Sequence, residues 1–400
     1  MSKNFLKNSV YNIFANSIPM LFLQLIILPL IAKNYTVGQY GTILTIISIA
    51  NVIIQIFGIG INNTRVIMNS FYMDKKITEN YNKMFKIMVI IIVPVISLIL
   101  LIFKIKISYV LFILLNIYII LGFLNLYLSS EYNINMDFLL LMKSNLCLTL
   151  GYAIGIFIFL FVNQWLLILT IGMLFTVIYE LQTTYFWRER KKSSDYWNKT
   201  FNKVATISIS SAMISIITYA DRLFLFPILG ANAVATYFAA SLFGKIIGMG
   251  IGPVSNVLLS TFSSTDIISK KMFWKTNIIN FLICIIFFAI SIPTAYPIIS
   301  MLYPSLSDEI SVFINLANLA AILNTSAGMI QPMILKFCPI KWQLNIQIIH
   351  VFLYFGLSIL GVNISGLLGF CIANVVIAIF KIILLCLIGN FYIVSFVKLS

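Results

Sequence analysis

The stretch Trp187-Arg-Glu-Arg-Lys-Lys-Ser-Ser-Asp-Tyr-Trp-Asn-Lys199, running on to Lys203, is with 64–85 the longest polar interruption in an otherwise apolar chain. Six apolar stretches precede it, at 9–31, 41–63, 86–103, 109–129, 142–162 and 166–186. Six more follow, at 204–229, 235–260, 275–299, 311–335, 343–360 and 366–388. About 20 residues of helix, at ~1.5 Å each, cross ~30 Å of hydrocarbon, so each stretch has spanning length. The polar segment is therefore a linker between two sets of six spans. The expected fold is an all-α integral membrane protein of about twelve transmembrane helices, in two six-helix lobes around a central cavity. The expected boundaries are an N-lobe at 1–187, a basic cytoplasmic linker at 188–203 and a C-lobe at 204–400.

Composition agrees with this division. Of 400 residues 61% are hydrophobic and 9% charged, against roughly 25% charged in soluble domains. Only a solvent that is itself apolar accommodates so much exposed apolar side chain. The first run, Ile13–Ala32, follows Lys3 and Lys7 as a signal peptide's core would, but it contains Pro19 and Pro29 and lacks a small-residue cleavage pattern. It is expected to be a retained first span.

The formal charge of +15 reports topology, and nucleic acid is not an expected partner. With the N-terminus inside, the cytoplasmic segments hold 20 of the 26 Lys and Arg residues. The outer loops hold Lys33, Lys104 and Lys106, and the spans hold Arg222, Lys245 and Lys381. So uneven a split is the positive-inside signature, and both termini are expected in the cytoplasm.

Enzyme signatures are lacking. No P-loop, dinucleotide-binding glycine pattern or metal-binding carboxylate motif occurs, and no cofactor is expected. The five cysteines (Cys147, Cys284, Cys338, Cys371, Cys386) have no C-x-x-C spacing, and the chain has one histidine, His350. Neither a disulfide frame nor a metal site follows, and the short outer loops leave no room for a catalytic domain.

Ionisable groups inside spans are the informative ones, because each costs ~2.5–3.5 kcal/mol at a helix centre on insertion scales. Asp221 and Arg222 lie ~25 Å along the seventh span and Lys245 ~15 Å along the eighth, which places the three at one depth. Their net charge of +1 suits an anionic group, and a structural Asp221–Lys245 ion pair is the competing account. Arg65 closes the second span, as an ordinary positive-inside residue or a first contact for phosphate. Asn12, Asn16 and Gln24 share one face of the first span, and Asn51 and Gln55 one face of the second; they mark the polar lumen. Glu180 and Lys381 are near enough to the cytoplasmic ends to snorkel. His350 reads either as a hydrogen-bonded interior histidine or as a proton-coupling group.

Several of these residues fall in recognisable motifs. Leu6-Lys-Asn-Ser-Val-Tyr-Asn12, Leu28-Pro-Leu-Ile-Ala32, Tyr40-Gly41, and Gly60-Ile-Asn-Asn-Thr-Arg65 stand in the first two spans. Tyr219-Ala-Asp221-Arg222, Leu229-Gly230 and Tyr237 stand in the seventh and eighth. Together they resemble the polysaccharide repeat-unit flippases, of O-antigen and capsule type, in the multidrug/oligosaccharidyl-lipid/polysaccharide exporter superfamily. The chain departs from the pattern at Gly58, where many relatives carry an acid, and at Lys245, about one turn later than the usual eighth-span cation.

The resemblance implies transport rather than catalysis. The implied activity is alternating-access movement of polyprenyl-diphosphate-linked oligosaccharide from the inner to the outer leaflet, coupled to membrane potential or an ion gradient. It implies a bacterial inner (plasma) membrane location, contact with membrane lipid, and a role in O-antigen or lipopolysaccharide synthesis beside a glycan polymerase and chain-length proteins. Arg65, Arg222 and Lys245 would receive the diphosphate, Asn16, Gln24, Asn51 and Gln55 the sugars, and Asp221 would couple an ion. Two alternatives stay open: a multidrug or small-molecule exporter of the same superfamily, and a non-transporting scaffold in glycan assembly.

Overall fold

The computed structural model describes residues 17–73, 79–185, 196–248 and 268–397, and among these every regular element is helical. The first helices are α1 (Ser17–Asn34), α2 (Val37–Met73), α3 (Glu79–Ile102) and α4 (Tyr109–Asn135). Next come α5 (Phe138–Val162), α6 (Leu166–Thr183), α7 (Trp197–Thr218) and α8 (Ala220–Ala240). The last three are α9 (Lys270–Leu302), α10 (Ser307–Phe337) and α11 (Ile340–Val397). Among the described residues, 11 helices are long and apolar enough to cross a membrane. The protein is an all-α, multi-pass membrane protein.

Two of these helices are hairpin-like pairs joined without a loop. At 58 residues α11 would run ~87 Å if straight, nearly three bilayer cores. It bends at Ser365 and Gly366, where Gly366 takes φ 58°, so its two arms carry the expected eleventh and twelfth spans. In α8 the bend is at Gly230, with φ 84° and ψ 179°, a region open essentially to glycine alone. The first arm of α8 ends the expected seventh span and the second begins the eighth. A further helical stretch follows at 242–248, and the remainder of the expected eighth span, to 260, lies outside the described residues. The turn after the fifth span was also legible: Asn163 closes α5 in the left-handed conformation at φ 52°.

Two expected boundaries need correction. α2 does not close at Arg65 but continues to Met73. The seventh span is not one unbroken helix: α7 stops at Thr218, Tyr219 takes φ -107° and ψ 10°, and α8 starts at Ala220.

Contacts divide the chain into two compact units, one holding Gln39–Ala231 with α1 up to Ile31, the other Ala32–Gly38 with Asn232–Ser400. In the first, α6 packs along both α4 and α5. Phe85 stacks on Phe123 at 4.5 Å between ring centroids and leans on Tyr127 at 5.2 Å. The start of α2 lies hard against the α8 bend, since a Cβ on Gly41 would stand 1.8 Å from the Ala231 carbonyl oxygen. In the second unit α10 packs along α9 and α11 around Phe273, Ile330, Met333 and Leu385.

Outward faces are apolar. Phe161 is 75% exposed and Ile364 80%, a surface that water would penalise and lipid accepts. Inside, many Ser and Thr hydroxyls bond their own helices: Thr45 donates to the Gly41 carbonyl at 2.9 Å and Thr64 to Gly60 at 2.7 Å. At that depth, where water is scarce, such bonds within the protein lower the cost of burying a hydroxyl.

Candidate functional site

The polar residues of the first unit gather along α2. Ser48, Asn51 and Gln55 recur at helical spacing and so lie on one face. From α4, the Tyr118 hydroxyl donates to Asn51 Oδ1 at 3.1 Å. From α7, the Ser215 hydroxyl donates to Gln55 Oε1 at 2.8 Å, and Gln55 Nε2 donates to the Tyr219 hydroxyl at 3.3 Å. From α8, Arg222 Nη1 donates to the Ser48 hydroxyl at 3.0 Å. The guanidinium also lies 5.5 Å from the centroid of the Tyr219 ring, within cation–π range. One tract of hydroxyls, amides and a guanidinium thus joins α2, α4, α7 and α8 within the first unit.

The break at Tyr219 explains how Asp221 is held. It places Asp221 in the first turn of α8, where the helix macrodipole favours a carboxylate. The Arg222 backbone N–H donates to Asp221 Oδ1 at 3.0 Å, a local bond within that first turn. Asp221 therefore has local stabilisation that a mid-helix position would not supply.

The structure brings Asn51, Gln55 and Arg222 together, with Asp221 beside them. Arg65 is elsewhere. It lies ten residues beyond Gln55 on α2, ~15 Å along the axis. It is 4% exposed, with its guanidinium carbon 4.7 Å from the Tyr127 ring centroid and 5.6 Å from that of Tyr81. The Tyr127 hydroxyl in turn donates to Asn82 Oδ1. Arg65 is enclosed by an aromatic cage rather than presented at an edge.

Gln24 is buried in a π-helical turn, Leu23–Ile27, and its Oε1 finds no hydrogen-bond partner among the described residues. The Leu28 N–H reaches back to the Leu23 carbonyl there, widening the helix just ahead of Pro29. π-bulges of this kind often mark functional positions. Asn12 and Asn16 lie outside the described residues. Lys245 belongs to the second unit, in the helical stretch 242–248 after a turn at Ser241. Its ammonium sits 5.2 Å from the Phe238 ring centroid and 5.5 Å from that of Tyr237.

Sequence reasoning missed Ser48, Tyr118 and Ser215. Their signal was the Ser208, Ser211, Ser215 spacing in α7 and the Ser48, Asn51, Gln55 spacing in α2. Glu180 also differs from expectation. It does not snorkel; it is fully buried where α4, α5 and α6 meet, accepting from Ser144 Oγ at 2.8 Å and Asn125 Nδ2 at 3.2 Å. Its partners come from other helices, which hold it inward.

A family profile described as polysaccharide biosynthesis protein matches residues 5–266, more than half of the chain. The chain belongs to the polysaccharide biosynthesis protein family. No curated protein matches it in sequence. Solved structures similar to this family member include the lipid II flippase MurJ in an inward closed conformation, with TM-score 0.71 and 15% identity over 98% of this chain and 86% of that one. An inward-facing multidrug resistance MATE family transporter of the MOP superfamily gives 0.60 and 14% over 97% and 99%. A eukaryotic MATE transporter gives 0.59 and 13% over 98% and 97%. At these identities the likeness is one of fold.

Proposed function

We propose that this family member is a flippase for polyprenyl-diphosphate-linked oligosaccharide repeat units. It carries them from the cytoplasmic to the outer leaflet of a bacterial inner membrane by alternating access. What carries the reading is the tract around Arg222: a guanidinium anchored on Ser48, in one polar tract with Asn51, Gln55 and Tyr219. Arg suits a diphosphate, which it can engage through a planar fork of donors. Amides and tyrosines suit sugar hydroxyls. A hydrophilic cargo of this kind cannot cross hydrocarbon unaided, because isolated charges there cost many kcal/mol.

The two lobes, 1–187 and 204–400 with the basic segment 188–203 between them, are the moving parts in this proposal. An inside-negative potential favours outward movement of an anion by about 2.3 kcal/mol per charge per 100 mV. Asp221 is the group through which an ion gradient would act. Lys245, Arg65, Gln24 and Asn16 are secondary substrate contacts in the same scheme. A glycan polymerase and chain-length proteins of O-antigen or lipopolysaccharide synthesis are the partners that would receive the product.

A genetic experiment tests the proposal. Deletion of the gene is expected to remove surface glycan while complete lipid-linked repeat units accumulate on the cytoplasmic leaflet. Normal glycan pools with altered sensitivity to cationic drugs would instead support a multidrug exporter; one solved structure of similar fold is a multidrug resistance transporter.

A further inference from the structure

The second unit contains an ionisable pair that the proposed transport path does not use. His350, on the first arm of α11, and Lys381, on the second, line one shallow crevice whose walls include Ile346, Leu353, Ile377 and Phe380. His350 is 6% exposed, and its Nδ1 has no hydrogen-bond partner among the described residues. His350 is thus an interior histidine with Nδ1 left to bond, and Lys381, half-buried, shares its crevice.

Among the described residues of α9, α10 and α11, no carboxylate stands at the level of these two bases. α11 contains no acidic residue and neither does α9. The acids of α10, Asp308 and Glu309, stand in its first turn, ~25 Å along the helix from the level of His350. Glu309 there accepts from the Thr236 hydroxyl at 2.8 Å. A half-buried ammonium without a carboxylate at its level calls for an anion from outside the chain.

The surroundings say what kind of anion. Phe380, one of its walls, is 43% exposed and the other walls are isoleucine and leucine, so the crevice opens onto an apolar face. Lys381 lies about two turns from the end of its apolar run at Ile388, a depth from which a lysine reaches the headgroup layer. Such a surface meets lipid, and the anion must come attached to one.

We propose that His350 and Lys381 form a binding site for the phosphate of an anionic lipid. The Lys381 ammonium pairs with a phosphate oxygen at the mouth of the crevice, and His350 Nδ1–H donates to a second. The isoleucine and phenylalanine walls take the start of the lipid chain. Two lipids present this chemistry: a glycerophospholipid with a phosphodiester, and a polyprenyl phosphate. The site stands whether or not the protein moves glycans.

The test is native mass spectrometry of the full-length protein in detergent, titrated with phosphatidylglycerol or with phosphatidylcholine of the same chains. Wild type is expected to retain phosphatidylglycerol about tenfold more strongly or better, the scale of one charge-assisted hydrogen bond. Lys381→Gln should abolish the preference, Lys381→Arg keep it and His350→Gln reduce it. Equal retention of the two lipids by wild type, or an undiminished preference in Lys381→Gln, overturns the proposal. Should Lys381→Gln fail to fold, a photoreactive amino acid at Phe380 in the otherwise native chain replaces it. Preferential capture of phosphatidylglycerol supports the site and indifferent capture overturns it. Competition by a polyprenyl monophosphate then distinguishes the sources: displacement at low concentration assigns the site to a carrier lipid, resistance to bulk phospholipid. No transport is measured, so failure here leaves the flippase proposal untouched and the reverse holds too.

Discussion

Replacing Arg222 by Gln removes the only guanidinium in the tract around Ser48, Asn51, Gln55 and Tyr219. Two consequences separate. Within the protein, the bond to Ser48 at 3.0 Å is lost, but the hydroxyl keeps its own donation to the Leu44 carbonyl at 2.7 Å. Asp221 keeps the backbone N–H of residue 222 and the start of α8. The cost to folding should then be modest, ~1 kcal/mol. Toward an anionic cargo the loss is larger, because a charge-assisted bond to phosphate contributes ~1.5–3 kcal/mol, or roughly ten- to hundredfold in affinity. The assay is complementation of a deletion strain, with surface glycan measured against membrane protein level. Arg222→Gln should lower glycan at least about tenfold at near-normal protein level, given that scale, and Ser48→Ala should retain most activity. Wild-type glycan in Arg222→Gln, or equal losses in both variants tracking protein level, would refute a substrate role and leave Arg222 as a structural residue.

Four further outcomes follow from the same geometry. Asp221→Asn should insert normally and keep downhill movement of substrate while losing its dependence on an ion gradient; unchanged gradient dependence in vesicles would remove Asp221 from coupling. Gln55→Leu strips the acceptor from Ser215 and the donor from Tyr219, so thermal unfolding should show a loss of ~1–3 kcal/mol. Gly230→Ala forces a side chain into φ 84° and should cost ~1–3 kcal/mol by the same measurement. Gly41→Val, whose Cβ would stand 1.8 Å from the Ala231 carbonyl oxygen, should yield little folded protein.

The apolar runs made the spans legible because hydrocarbon thickness and helix rise are fixed quantities. Turns were legible where their chemistry is local, as at Gly230, Asn163 and the 361–365 connection. The break at Tyr219 was not, for neither glycine nor proline marks it; its polar partner Gln55 lies on a helix far away in sequence. The extension of α2 to Met73 was missed because 64–73 is polar enough to read as a loop, while backbone bonding continues regardless of hydropathy.

The site divides in the same way. Asn51, Gln55 and Asp221-Arg222 were visible as polar residues where polarity is costly. Ser48, Tyr118 and Ser215 were not, since hydroxyls inside spans commonly bond their own helix and carry little information. Arg65 was visible as a charge, but its cage of Tyr81 and Tyr127 is made by tertiary packing.

The central claim is movement of a lipid-linked anionic glycan across a bilayer, and reconstitution tests it most directly. Purified protein in vesicles holding a fluorescent polyprenyl-diphosphate oligosaccharide, under an imposed inside-negative potential, should transfer the glycan between leaflets far faster than empty vesicles. Arg222→Gln should abolish most of that gain. Transfer no faster than in empty vesicles, with wild-type protein folded and correctly inserted, would contradict the account.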